Sequence, residues 1–209
     1  MRYHCALSVT IALAGGSATA SAAFTGFSVQ FAGVNGGVQV YNVFAEFNQS
    51  DDVVVNFNNF QLLEGTMAGV AHSDNTGLQS GTAWDPRHTI GAQVGRDSFV
   101  TINGVTGSSS VTQLNSFGSG VGIQNGAGWS STGALSAVGS TNRVRIAQFA
   151  GQFGNGNGFL ASLNITYRDT LNSTANLTGS ATFLIGNAVP GPGALALVAL
   201  AGLGRSRRR

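Results

Sequence analysis

Ser98-Phe99-Val100-Thr101-Ile102-Asn103-Gly104-Val105-Thr106 reads as a β-hairpin. Aromatic and β-branched residues run up to an Asn-Gly pair and resume beyond it. Both central positions of a tight type I′ turn need positive φ, which Asn and Gly accept most readily. The same signal recurs at Asn35-Gly36, at Asn125-Gly126 and in Asn155-Gly156-Asn157-Gly158. Between these signals lie short apolar runs. Phe24, Phe27, Val29 and Phe31 open the series, and Val38 to Phe47 follows, closed by Asn48-Gln49-Ser50-Asp51-Asp52. Val53–Phe57 and Phe60–Leu63 are separated by Asn58-Asn59. Further strands are predicted over Thr66–Ala71, Phe99–Ile102, Val144–Phe149, Phe159–Tyr167 and Ala175–Ile185. Residues 104–142, rich in Gly, Ser, Thr and Asn, read as long loops or weakly specified strands.

No sustained 3.6-residue apolar period and no internal repeat occurs between the two ends, so helical bundles, propellers and solenoids are disfavoured. The expected fold is all-β: a single β-sandwich, jelly-roll-like, over residues 23–188. A signal helix at residues 1–22 and a short hydrophobic helix in residues 189–209 flank it. Glycine fills 31 of the 209 positions, about twice the usual ~7%. Phe and Val persist throughout, which argues for a folded, turn-rich chain over a disordered one.

Charge points away from nucleic acid. The chain has 10 basic and 8 acidic residues, but Arg2 and the terminal arginines account for half of the cations. Residues 23–188 keep only Arg87, Arg96, Arg143, Arg145 and Arg168 against all the acids, so the domain is mildly acidic. Cys5 is the sole cysteine and lies in the leader, so the domain has no disulfide and no thiolate chemistry.

The ends are the most legible parts. Met1-Arg2-Tyr3-His4 is a short positive start, Cys5–Leu13 an apolar stretch, and Ala18-Thr19-Ala20 and Ala20-Ser21-Ala22 fit the small-residue cleavage rule. Cleavage is expected after Ala22 or Ala23. At the other end, Val189-Pro190-Gly191-Pro192-Gly193 breaks the preceding strand. Ala194–Leu203 is then apolar and helix-favouring, and Arg205, Arg207, Arg208 and Arg209 form a basic stop on the cytoplasmic side. Proline pair, apolar run and arginine cluster resemble the PEP-CTERM sorting domain of Gram-negative bacteria, in a form similar to planctomycete variants. Gly191 stands where that family carries Glu. The resemblance implies transient membrane association, processing by an exosortase-like enzyme, an outer-surface or extracellular destination, and partners such as exopolysaccharide.

Catalytic signatures are absent: no nucleophile elbow, no H-E-x-x-H, no Walker loop. Glu46, Glu64, Asp51, Asp52, Asp74, Asp85, Asp97 and Asp169 are the acids from which a hydrolase pair would have to come, and nothing in their spacing pairs any two. His72, Asp74, Asp85 and His88 have the residue types of a transition-metal site within one loop-like stretch. No cofactor is implied beyond the alternative of Ca²⁺ held by Asp51, Asp52 or nearby carbonyls. Trp84 and Trp129, in turn-rich surroundings, are either core or, if exposed, sugar-stacking platforms. The sequons at Asn48, Asn164, Asn172 and Asn176 are chance matches in an Asn/Thr-rich chain. The sequence therefore points to an exported, non-enzymatic surface or matrix protein. A carbohydrate-binding or Ca²⁺-dependent adhesion module is the alternative, and a secreted hydrolase the remote third.

Overall fold

The computed structural model describes residues 23–72, 84, 95–103, 111–117, 123–132, 135–154 and 157–186. They form ten strands and no helix. The strands are β1 (Phe24–Asn35), β2 (Val38–Phe47), β3 (Val53–Gly65), β4 (Val70–Ala71) and β5 (Phe99–Val100). They continue with β6 (Val111–Phe117), β7 (Ile123–Ser131), β8 (Arg143–Gly151), β9 (Phe159–Arg168) and β10 (Leu177–Ile185). Two antiparallel sheets result. The first runs β1-β2-β8-β4, with β5 also pairing β8; the second runs β10-β9-β3-β7-β6. The expected all-β class is thus met.

The β1–β2 hairpin follows directly from its turn. Asn35 pairs with Val38, and Gly36 and Gly37 between them have φ of 57° and 86°, the left-handed pair that a two-residue turn demands. In β9 the burial alternates strictly from Phe159 to Tyr167, the mark of a strand with one wet and one dry face. β8 lies between β2 and β4 and is buried from Ile146 to Gly151.

Both sheets contribute to one hydrophobic cluster. Phe149 of β8 meets Phe159 of β9 at 5.2 Å and Phe183 of β10 at 6.2 Å. Phe27 of β1 meets Phe183 at 5.8 Å, and Phe47 of β2 meets Tyr167 at 5.6 Å. Each fully buried ring contributes roughly 1.5–3 kcal/mol of transfer free energy. The cysteine-free domain is held by these contacts rather than by covalent links.

Several local expectations are corrected. Asn103 does take the left-handed conformation, at φ 54°, but the strand before it is two residues long and pairs with β8, through Phe99–Gln148 and Val100–Ala147. These partners lie nearly fifty positions downstream, and residues 104–110 lie outside the described residues. Asn58-Asn59 does not separate two strands. Asn59, at φ 53°, sits inside β3, where the register against β9 shifts between Asn58 and Gln61, a bulge rather than a break. Asn125-Gly126 likewise falls within β7, where pairing to β6 shifts. Gly154–Gly158 is no hairpin tip, because β8 and β9 belong to different sheets. The 104–142 stretch contributes the β6–β7 pair, which its composition conceals.

Candidate functional site

Polar side chains converge where β4, β5 and β8 meet. His72 and Asp97 flank strands β4 and β5, and both are almost wholly buried, with Nδ1 3.5 Å from Oδ1. The same Nδ1 lies 3.1 Å from the Ser98 carbonyl. Both neighbours are acceptors, so Nδ1 bears the proton. The Ser98 hydroxyl donates to Ala71 O at 2.7 Å, with Ala150 O at 3.2 Å beside it, and accepts from Ala150 N at 2.9 Å. Asp97 Oδ1 accepts from the Ser98 amide at 2.9 Å, and Gln148 Nε2 donates to the Asp97 carbonyl at 2.9 Å. The His72 ring stacks on Trp84, with centroids 4.5 Å apart and planes 14° from parallel.

Ser, His and Asp are the residue types of a nucleophilic triad, but the connectivity differs from one. In a triad the imidazole takes the hydroxyl proton. Here His72 Nδ1 faces the serine's carbonyl, and the hydroxyl proton is directed at backbone oxygens. The cluster joins the 97–100 segment to the β4–β8 pair and satisfies backbone groups that burial would otherwise orphan. Sequence reading missed Ser98 altogether and treated Asp97 only as one acid among eight. Nothing local relates His72 to a serine 26 residues away.

A second unusual group is Asp52, fully buried at the end of the β2–β3 connection. Its backbone carbonyl accepts from Val138 N at 2.7 Å. Among the described residues neither carboxylate oxygen has a donor in full hydrogen-bonding geometry, although the Gln49 backbone amide is near enough to favour the charge. Burial dominates and pushes the carboxyl up to about 6, with Asp51 and Asp169 adding like-charge repulsion.

The remaining candidates disperse. Glu46 lies on β2 and accepts a hydrogen bond from Ser28, whereas Glu64 lies on β3 in the other sheet. Trp84 and Trp129 are 0% and 1% exposed, so the sugar-stacking reading of both is overturned. Trp129 is held by its Nε1 donating to Thr101 O at 3.1 Å and by Phe57 at 5.2 Å. Of the four metal-ligand candidates only His72 is among the described residues; Asp74, Asp85 and His88 lie outside them. Among the described residues no three His, Cys, Asp or Glu side chains gather as a metal-ligand set, and no helix is long and apolar enough to cross a membrane. An open recess beside β4 is lined by small residues with Gln152 and Asn157 as its polar side chains. Ala20 and Ala22, Pro190, Gly191 and Pro192, and the arginines at 205 and 207–209 also lie outside the described residues. Ala23 is inside them, its amide donating to Asn48 Oδ1 at 2.8 Å and its carbonyl accepting from Asn48 N at 3.1 Å.

The chain matches no family model and no curated protein. Its reading therefore rests on its own residues.

Proposed function

We propose that this protein is an exported, non-enzymatic component of a bacterial cell surface or extracellular matrix, sorted through its C-terminal tail. The observation that carries the reading is where the strands begin and end. β1 starts at Phe24, beside the expected cleavage after Ala22 or Ala23, and β10 closes at Ile185, just short of Pro190-Gly191-Pro192. The described strands thus all lie between the expected leader and tail, which supports a folded unit bounded by those two ends. Cleavage after Ala22 would keep the Ala23–Asn48 link, since the new ammonium still donates to Asn48 Oδ1.

Within the domain, the ring contacts between sheets support a β-sandwich, with crossings such as β2→β3 and β8→β9 consistent with the expected jelly-roll-like layering. The polar cluster around Ser98 supports a non-catalytic role, since its hydroxyl is committed to backbone partners. The partners in this reading are an exosortase-like enzyme at the tail and surface polysaccharide thereafter. Intact mass spectrometry of the protein, from membrane and medium fractions of its own cells, tests the proposal. The expected species lacks residues 1–22 and everything after about Pro190. A chain retaining its terminal arginines in both fractions would overturn the sorting assignment.

A further inference from the structure

Large apolar side chains that stay exposed are spread unevenly over the domain. Among the described residues they are Phe31, Val34, Leu63, Leu171 and Leu184, and all but Leu171 lie at one end. The second sheet finishes there, where Phe159 pairs with Ile185 on one side and Gly65 on the other. Leu184 pairs with Leu160 one step before, and Leu63 adjoins Glu64, which pairs with Leu160 from the other side. β1 advances along β10 toward the same end. Its Phe24 ring covers Gly179, and its Phe27 packs on Phe183. Phe31 comes four residues later, its ring 5.2 Å from Tyr41. Tyr41 lies 5.5 Å from Phe153, and Phe153 packs against Gly186. Val34 follows beside the β1–β2 turn. Gly186 is the last of the described residues, so the tail leaves the domain from this apolar end. Leu171 sits at the opposite end, in the β9–β10 connection, which also carries Asp169.

We infer that this end of the domain seats on a bilayer surface, with Phe31, Val34 and Leu184 entering the headgroup region while the tail holds the chain in the membrane. The seating rests on the tail-anchored reading of the protein and gives the domain an orientation. From Gly186 the chain passes through Asn187–Gly193 to the apolar Ala194–Leu203. That connection reaches at most about 25 Å when fully extended, so the end that emits the tail is the part kept nearest the lipid. Exposed apolar side chains held there lose their water to the boundary between headgroups and acyl chains, where amphipathic surfaces settle. The charges agree. Asp51, Asp52 and Asp169 gather at the opposite end, near enough for the other two to repel Asp52, and so stand away from anionic headgroups. At the β1–β2 turn the charged neighbour is Arg96, whose side chain packs over Gly36. Glu64 is the acid nearest Leu63.

The test uses tryptophan as a depth reporter in the full chain, reconstituted into vesicles of phosphatidylethanolamine and phosphatidylglycerol. A fraction of the lipid carries a spin-label quencher just below the headgroups. Trp84 and Trp129 are buried in the core, so the wild-type chain supplies the blank. In Phe31→Trp and in Leu184→Trp the added emission should shift to the blue. It should also lose roughly half its intensity or more to the quencher, since both rings lie within the headgroup boundary. Leu171→Trp, comparably exposed at the far end, should be quenched far less. Flotation of the vesicles reads attachment of the chain separately. A chain that floats while Phe31→Trp and Leu184→Trp are quenched no more than Leu171→Trp would overturn the seating and leave the tail anchor standing. A chain that does not float would overturn both.

Discussion

Asp52 is a carboxyl that the fold would rather keep protonated. An aspartate titrates near 3.8 when unfolded and Asp52 at about 6 when folded. Below about pH 3.8 both states hold the proton and the group is neutral in effect. Between 3.8 and 6 the folded state keeps a proton that the unfolded state releases, so stability falls as pH rises. Above 6 the loss is complete. Asp52→Asn should therefore be more stable than wild type at pH 7 by roughly 1–3 kcal/mol, with the difference shrinking toward zero near pH 4. Urea unfolding of both proteins across pH 4–8 measures this, and parallel curves would show that Asp52 is not the titrating group. Ser98 works in the opposite sense. Ser98→Ala removes the acceptor of Ala150 N and the donor to Ala71 O, and should cost about 1–3 kcal/mol by the same assay. Neither role was legible in the sequence. Asp52 looks like half of an ordinary acidic turn, and Ser98 like the first residue of a hairpin strand. What separates them from such residues is burial, which is set by chain segments from elsewhere.

Elements were legible where a strand's partner is its neighbour in sequence. β2 was expected at Val38–Phe47 and occupies that span, and β9 and β10 differ from expectation by a residue or two at their ends. At Gly37 the β1–β2 turn rests on backbone conformation alone, because a Cβ there would meet nothing within 4 Å. Gly37→Val should thus cost about 1–3 kcal/mol through its φ of 86°, seen as a lowered midpoint of thermal unfolding. An unchanged midpoint would mean the turn accommodates φ below zero. Asn-Gly and Asn-Asn misled elsewhere because positive φ serves bulges as well as turns. At Asn59 and Gly126 the chain uses it to continue a strand past an extra residue, and at Asn103 to leave a strand whose partner is distant. A local signal gives the conformation, not what the backbone then pairs with.

At the scale of the molecule, the Phe-rich cluster binds the two sheets. Phe183 touches the rings of Phe27, Phe60, Phe149 and Phe159. Phe183→Ala should cost about 3–5 kcal/mol in denaturant unfolding, whereas Leu63→Ala, at a residue 49% exposed, should change stability by less than about 1 kcal/mol. Equal losses would mean the sheets do not share one core. The sequence by itself determined the all-β class, the turn-rich composition, the mild acidity of residues 23–188 and the apolar and arginine-rich composition of the C-terminal end, because each depends on residue types within a short window. Only the tertiary structure decided that β8 lies between β2 and β4, that His72 meets Asp97 and Ser98, and that both tryptophans are core. These facts follow from pairings between residues tens of positions apart, whose closure is set by the packing of the whole chain.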